Sequence, residues 1–122
     1  MSDERVLVDT NVLIHQINGD AAIEKLLQGM KVHISFITEV ELLSFPGYTA
    51  EERAAVKAWL KEFIISDVNE SIKTIAIVLR SRHNLKLADA FVAATAAHWH
   101  IPLITQDKHF RKMKGELELR EV

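Results

Sequence analysis

The sequence predicts an α/β fold, a three-layer α/β/α sandwich around a parallel sheet of roughly five strands. Two observations carry this prediction. Short runs rich in valine, isoleucine and leucine alternate along the chain with longer segments that have the apolar spacing of helices. The runs read as buried strands, as expected when helices cover both faces of a parallel sheet.

Five short segments in which apolar residues predominate are predicted to be strands. In chain order they are Arg5–Val8, Val32–Phe36, Phe63–Ser66, Ile101–Ile104 and Leu117–Val122. Helices are predicted between them, where the residue pattern has helical periodicity or begins with a helix cap. In chain order they are Val12–Ile17, Asp20–Gln28, Thr38 to about Pro46, Thr49–Glu62, Ser71–Arg82, Leu87–Trp99 and a short helix at Lys108–Lys112.

Two of these helices begin with the spacing of a capping box. In this motif a threonine caps the first turn, and a glutamate three residues later bonds back to the backbone of that threonine. Thr38 and Glu41 have this spacing, and so do Thr49 and Glu52. The pattern therefore places Glu41 in the first turn of the helix that follows the second strand.

Composition limits the class of protein. The chain has 122 residues, of which 48% are hydrophobic, so residues 1–122 are expected to form a single domain. It contains no cysteine, no signal-peptide pattern and no apolar run near the roughly 20 residues of a membrane span, which predicts a cytoplasmic protein with no membrane contact. A net charge of −2 argues against a general nucleic-acid coat but leaves a nucleic-acid enzyme open.

Four carboxylates stand in otherwise apolar stretches: Asp9, Glu41, Asp89 and Asp107. Asp9 closes the first predicted strand. Asp89 is the only formally charged residue in Leu87–Trp99, a predicted helix that is apolar nearly all round and therefore buried. An acid in apolar surroundings is costly unless a partner, hydrogen bonds or a metal ion compensates its charge.

The predicted topology brings these acids toward one edge of the sheet. Ligands of open parallel sheets bind beyond the carboxyl ends of the strands, where the strand order reverses. Asp9 and Asp107 each follow a predicted strand, and Glu41 and Asp89 each lie in the first turn of a predicted helix near that edge. We therefore expect the four carboxylates to converge.

Carboxylates without cysteine or histidine partners suit hard cations such as Mg²⁺ or Mn²⁺. Such an ion lowers the pKa of a bound water and stabilises charge that develops on a phosphodiester. Each acid also has a structural alternative. Asp9 could accept backbone N–H groups at a helix start, Glu41 could complete a capping box, Asp89 could favour the helix dipole and Asp107 could cap a turn.

Several polar and basic side chains are candidates for supporting roles. Thr10, Asn11 and Thr105 could orient the acids, a water or a phosphate, and Thr10 and Asn11 could instead be helix caps. A small basic cluster precedes Asp89, and it is either a solvated helix face or a guide for RNA phosphates. This cluster consists of Arg80, Arg82, His83 and Lys86.

Four sequence segments together resemble the PIN-domain family and, within it, the VapC-type ribonuclease toxins of toxin–antitoxin pairs. They are Val8-Asp9-Thr10-Asn11-Val12-Leu13-Ile14, then Ser35-Phe36-Ile37-Thr38-Glu39-Val40-Glu41-Leu42, then Leu87-Ala88-Asp89-Ala90-Phe91-Val92-Ala93-Ala94-Thr95-Ala96, then Pro102-Leu103-Ile104-Thr105-Gln106-Asp107 with Phe110. They span essentially the whole chain in the order and spacing typical of the family.

The resemblance implies a specific chemistry. Asp9, Glu41, Asp89 and Asp107 would be the metal-binding acids, with Thr10, Asn11 and Thr105 as polar support. The activity would be Mg²⁺- or Mn²⁺-dependent endonucleolytic cleavage of a structured RNA, a tRNA or a ribosomal RNA segment. The implied partners are a cognate antitoxin and a second copy of the chain in a homodimer.

The chain departs from the family pattern at one position that bears on the site. Many relatives carry a further acid just before the phenylalanine that follows the last acid, whereas this chain has His109 there. Asp107 would then be the only acid in this segment. Three other functions stay open: an RNA-processing nuclease that is not a toxin, a signalling domain that accepts a phosphoryl group, and a non-catalytic binding relative.

Overall fold

Five strands form one parallel sheet at the centre of the molecule, in the order β3-β2-β1-β4-β5. A computed structural model of the chain describes residues 4–122. The strands are β1 (Arg5–Val8), β2 (Lys31–Ser35), β3 (Ile64–Ser66), β4 (Leu103–Thr105) and β5 (Leu119–Glu121). The helices are α1 (Thr10–Ile17), α2 (Ala21–Leu27), α3 (Phe36–Leu43), α4 (Ala50–Leu60), α5 (Glu70–His83) and α6 (Leu87–Trp99), with a 3₁₀ helix at Lys108–Met113.

Alternate residues of the central strands bury into two separate hydrophobic cores. Val6 and Val8 of β1 pack with apolar side chains of α1, α2 and α4 on one face of the sheet. Leu7, between them, packs on the other face with side chains of α5 and α6. β4 repeats this alternation with Leu103 and Ile104. The predicted three-layer α/β/α sandwich with a parallel five-stranded sheet is confirmed.

The strand order reverses between β1 and β4. From β1 the chain moves outward through β2 and β3, and it then crosses back to place β4 and β5 on the other side of β1. The carboxyl ends of β1 and β4 are therefore the topological switch point, where open α/β sheets bind ligands. Asp9 directly follows β1, and Asp107 follows β4 by two residues.

The structure corrects two predicted helix starts. α3 begins at Phe36 and is capped by the Ser35 hydroxyl, which accepts the Ile37 N–H, so the predicted capping box at Thr38 is wrong. Glu41 consequently lies in the second turn of α3 rather than the first. α1 begins at Thr10, two residues earlier than predicted, and its N-cap is Asp9, so Thr10 is not a helix cap and neither is Asn11.

Other predictions for the helices are confirmed. Thr49 and Glu52 form both hydrogen bonds of a capping box at the start of α4. α6 runs over Leu87–Trp99 as predicted and buries most of its central residues. Within residues 4–122, no helix is long and apolar enough to span a bilayer.

Candidate active site

Asp9 is fixed at the switch point by three hydrogen bonds. Its backbone N–H donates to the Ile104 carbonyl at 3.0 Å, which ties the end of β1 to β4. Its carboxylate Oδ1 accepts the Thr10 N–H at 2.9 Å, and Oδ2 accepts the Thr105 hydroxyl at 2.8 Å. With only 8% of its surface exposed, Asp9 is both the N-cap of α1 and a buried acid with a fixed orientation.

Thr105 connects the two acids that follow the central strands. Its hydroxyl is fully buried, donates to Asp9 Oδ2 and accepts the Asp107 N–H at 3.0 Å. Asp107 in turn caps the 3₁₀ helix, because its Oδ1 accepts the His109 N–H at 2.9 Å. Nδ1 of His109 lies 2.8 Å from the same oxygen. Asp107 therefore has the turn-capping role that the sequence left open, and both of these contacts involve Oδ1.

Glu41 is held by a chain of hydroxyl groups that links α1 to α3. The Thr10 hydroxyl lies 2.8 Å from Glu41 Oε1 and 3.0 Å from the Thr38 hydroxyl. An ionised carboxylate can only accept hydrogen bonds, so Thr10 donates to Glu41 and the Thr38 hydroxyl donates to Thr10. Thr10 and Thr38 are buried, whereas Glu41 extends into solvent.

The remaining predicted residues differ in their surroundings. Asp89 is half-buried in the first turn of α6, as the sequence predicts. The turn before it is short: α5 ends at His83, and its C-cap Asn84 has the left-handed conformation (φ 52°) that asparagine tolerates. Asn11 is exposed on α1, and within residues 4–122 its side chain makes no hydrogen bond. The polar support that the sequence predicts from Asn11 therefore stays a prediction, and its amide is available to a water or a phosphate.

Electrostatics couples the four acids to one another. Burial raises the pKa of Asp9 above its ordinary value, hydrogen bonds from Thr105 and Thr10 oppose the rise, and the negative charges of Asp89 and Asp107 add to it. Burial also raises the pKa of Asp89, with further contributions from Asp107 and, more weakly, Glu41. Asp9 and Asp89 are therefore the two acids whose ionised forms the neighbouring negative charges disfavour, and nearby positive charge would relieve this.

The donor set favours a cation that remains partly hydrated. Within residues 4–122, no three acidic, histidine or cysteine side chains form a ready-made coordination shell. All four candidate donors are nonetheless carboxylates, the ligand type that Mg²⁺ and Mn²⁺ prefer. Mg²⁺ is commonly bound through one or two carboxylates and keeps several waters, so the residues fit this kind of ion better than one enclosed by protein ligands.

Sequence reasoning assigned the wrong role to Thr38 and gave His109 none beyond its departure from the family pattern. The relevant signal for Thr38 was its spacing from Glu41: residues three apart share one helix face, so a buried threonine there can support the acid. His109 reaches Asp107 directly, and with Lys86 it lowers the pKa of Asp89. The effect on Asp89 cannot be read from local sequence, because the 3₁₀ helix and α6 meet only in the folded chain. The contact with Asp107 joins residues two positions apart and is local.

The fold and the site place this chain among the open α/β proteins that bind ligands at the switch point of a parallel sheet. The acids found there indicate that the ligand is a cation. The family model of the PIN domain matches residues 6–116, and the chain belongs to this family. PIN domains are in general nucleases that depend on divalent metal ions. No curated protein sequence matches the chain.

Solved structures similar to this chain include several toxin–antitoxin complexes. A toxin–antitoxin complex from Klebsiella pneumoniae has a chain that is 28% identical, with a TM-score of 0.81, covering 93% of this chain and 98% of that one. A DNA-bound VapBC from Salmonella typhimurium (18% identity, TM-score 0.82) covers 97% and 98% of the two chains. VapBC2 from Rickettsia felis, bound to a promoter DNA fragment, is 19% identical with a TM-score of 0.79 and covers 96% and 98%.

Proposed function

We propose that this chain is a Mg²⁺- or Mn²⁺-dependent endoribonuclease and the toxin of a toxin–antitoxin pair. The observation that carries the proposal is the placement of the acids at the switch point of the sheet. Asp9 and Asp107 follow the two central strands and share Thr105, and Glu41 is bound by Thr10, the residue after Asp9. Asp89 is near enough for its charge to raise the pKa of Asp9. Four acids that repel one another stabilise the fold poorly by themselves. A bound divalent cation would offset the repulsion between the carboxylates.

In this proposal one or two of the four carboxylates would hold the hydrated ion directly, the others would contribute their negative charge, and the threonines orient the carboxylates. Thr105 fixes Oδ2 of Asp9, and Thr10 fixes Oε1 of Glu41, so the acids on two different helices keep their orientation before any ligand arrives. When bound, a divalent ion would lower the pKa of a water and stabilise charge on the phosphodiester. Asn11, exposed beside Asp9, is free to hydrogen-bond to that water or to a phosphate oxygen.

A toxin role and an antitoxin partner are supported by the similar structures, which are themselves toxin–antitoxin complexes. We propose a cognate antitoxin as the partner, a homodimer as the assembly, and a structured RNA such as a tRNA or a ribosomal RNA segment as the substrate. Induction in cells should then arrest growth, and coexpression of a small protein encoded next to the gene should relieve the arrest. Expression without growth arrest, and without such a neighbour, would instead favour an RNA-processing nuclease.

Cleavage of total cellular RNA with and without Mn²⁺ tests the enzymatic part of the proposal. Wild type should cut, while Asp9→Asn and Asp89→Asn should lose most of the activity because each removes a charged ligand and keeps the side chain's shape. Asp67→Asn is a matched control, because Asp67 is an exposed aspartate in the loop between β3 and α5. Equal cutting by all four proteins, or cutting that persists in a chelator, would refute the carboxylate mechanism.

A further inference from the structure

A small cavity with a positively charged lining opens beside Asp89. Its volume is about 160 Å³, and it lies where the turn before α6 meets the 3₁₀ helix. The side chains that line it are Asn84, Leu85, Lys86, Asp89, His109 and Lys112. Sites for drug-sized molecules run to about 300–1,000 Å³, so this cavity fits a single charged group rather than a whole nucleotide.

The two lysines in this lining are not committed to ion pairs within the part of the chain that the structure describes. His109 contacts Asp107, but Lys86 and Lys112 form no salt bridge with any residue between 4 and 122. Neighbouring cations differ in this respect, because Arg82 and His83 both pair with Glu116, and Arg111 pairs with Glu121. Of the basic cluster predicted before Asp89, Arg82 is therefore neutralised, and the His83 ring is held by the same glutamate.

The two free lysines flank a proposed metal-binding acid. Lys86 precedes Asp89 by three residues across the start of α6, and its charge stabilises the ionised form of that carboxylate. Lys112 comes from the 3₁₀ helix, the same element that Asp107 caps. The lining of the cavity thus includes an acid of the proposed metal site together with two lysines. A phosphodiester that reaches the metal with one oxygen would meet the lysines with another.

We propose that this cavity is a phosphate subsite for the RNA backbone, in which Lys86 and Lys112 bind a non-bridging phosphate oxygen next to the metal site. The proposal rests on the ribonuclease function proposed above and adds the residues that position the substrate. Lysine acts in such sites as a point charge, so it contributes affinity for the backbone without reading the base sequence.

RNA binding to the variants Lys86→Gln and Lys112→Gln, made in an Asp9→Asn background that prevents cleavage, tests the subsite. The probe is a short fluorescent single-stranded RNA of mixed sequence, followed by anisotropy over a range of salt concentrations. Each substitution should raise the Kd by up to about fivefold, as loss of an exposed ion pair does. Each should also reduce the slope of log K against log salt by about 0.7, the value for one lost phosphate contact with a single strand.

Lys57→Gln is the matched control, because Lys57 is an exposed lysine of α4 that does not line the cavity. If the two lysines only offset the charge of the acids, Lys86→Gln and Lys112→Gln will bind RNA like the control. They will then change the affinity for Mn²⁺ instead. That result would overturn the subsite while the Asp9→Asn parent still binds the RNA and the wild type still cuts RNA. If the wild type does not cut total cellular RNA in the presence of Mn²⁺, the proposed function itself fails, so the two failures are distinguishable.

Discussion

Replacing Thr105 with valine tests how the site is held together. The hydroxyl of Thr105 is fully buried and joins two strand ends, because it donates to Asp9 Oδ2 and accepts the Asp107 N–H. Valine has nearly the same shape and suits the last position of a strand, so the change removes the two hydrogen bonds with little loss of packing. Both partners lose a bond in an environment where water replaces it poorly.

The expected cost follows from the two bonds. A hydrogen bond to a charged group contributes about 1.5–3 kcal/mol and a neutral one about 1 kcal/mol, so Thr105→Val should lower the free energy of unfolding by about 2–4 kcal/mol. For a domain of this size, 1 kcal/mol corresponds to about 4 °C, which predicts a decrease in Tm of about 8–16 °C. Urea denaturation measures this change in the free energy of unfolding, and we expect the m-value to stay unchanged.

The decrease in the free energy of unfolding caused by Thr105→Val should depend on pH. The Thr105 bond stabilises ionised Asp9 and so lowers the pKa of that carboxyl in the folded protein. Without the bond the folded pKa rises further. The difference in stability between wild type and Thr105→Val is therefore full at neutral pH and becomes smaller as the pH falls through the pKa of folded Asp9.

Thr95→Val is the matched control for this substitution. Thr95 is also fully buried, but its hydroxyl donates at 2.7 Å to the Phe91 carbonyl one turn earlier in the same helix, and that carbonyl keeps its helical partner. Its loss should cost under about 1 kcal/mol. If Thr105→Val is as stable as Thr95→Val, the hydroxyl of Thr105 does not join Asp9 to Asp107.

Three further changes test separate features of the fold and site. His33 is 3% exposed, neither ring nitrogen has a partner within residues 4–122, and burial lowers its pKa below 6.5. Wild type should therefore lose stability as the pH falls below that value, because protonation favours the unfolded chain. His33→Leu should lack this loss of stability when denaturation is measured over a range of pH. Thr49→Ala should cost about 1 kcal/mol by removing the cap of α4, and Thr49→Ser should restore it, as measured by thermal unfolding. Thr10→Val should weaken Mn²⁺ binding by about tenfold or more because Glu41 loses its donor, and Thr10→Ser should restore the affinity in a calorimetric titration.

Periodicity and composition were sufficient to predict the architecture. The alternation of short apolar runs with helical segments determines a parallel sheet covered on both faces, and the structure has that sheet. α6 was the easiest element to predict, because its thirteen residues carry one formal charge and can only be buried. The positions of Asp9 and Asp89 at a strand end and a helix start followed from the same pattern.

Some of the details that sequence missed are local, and others depend on contacts between distant segments. Thr38 has a capping-box spacing, yet Ser35 caps the helix because the chain turns directly from β2 into α3. The hydroxyl of Thr38 then faces Thr10 from a different helix. The pairing of Arg82 with Glu116 likewise joins residues that are 34 positions apart, and it removes a cation that local sequence presents as free.

Calorimetric titration with Mn²⁺ tests most directly whether the four acids form a metal site. Wild type should bind Mn²⁺ with an enthalpy that Asp89→Asn abolishes or greatly reduces, since each acid lies within range of another and the site needs their combined charge. Asp67→Asn should bind like wild type. Failure of the wild type to bind Mn²⁺, or equal binding by wild type and Asp89→Asn, would contradict the proposal that the four acids form a metal site.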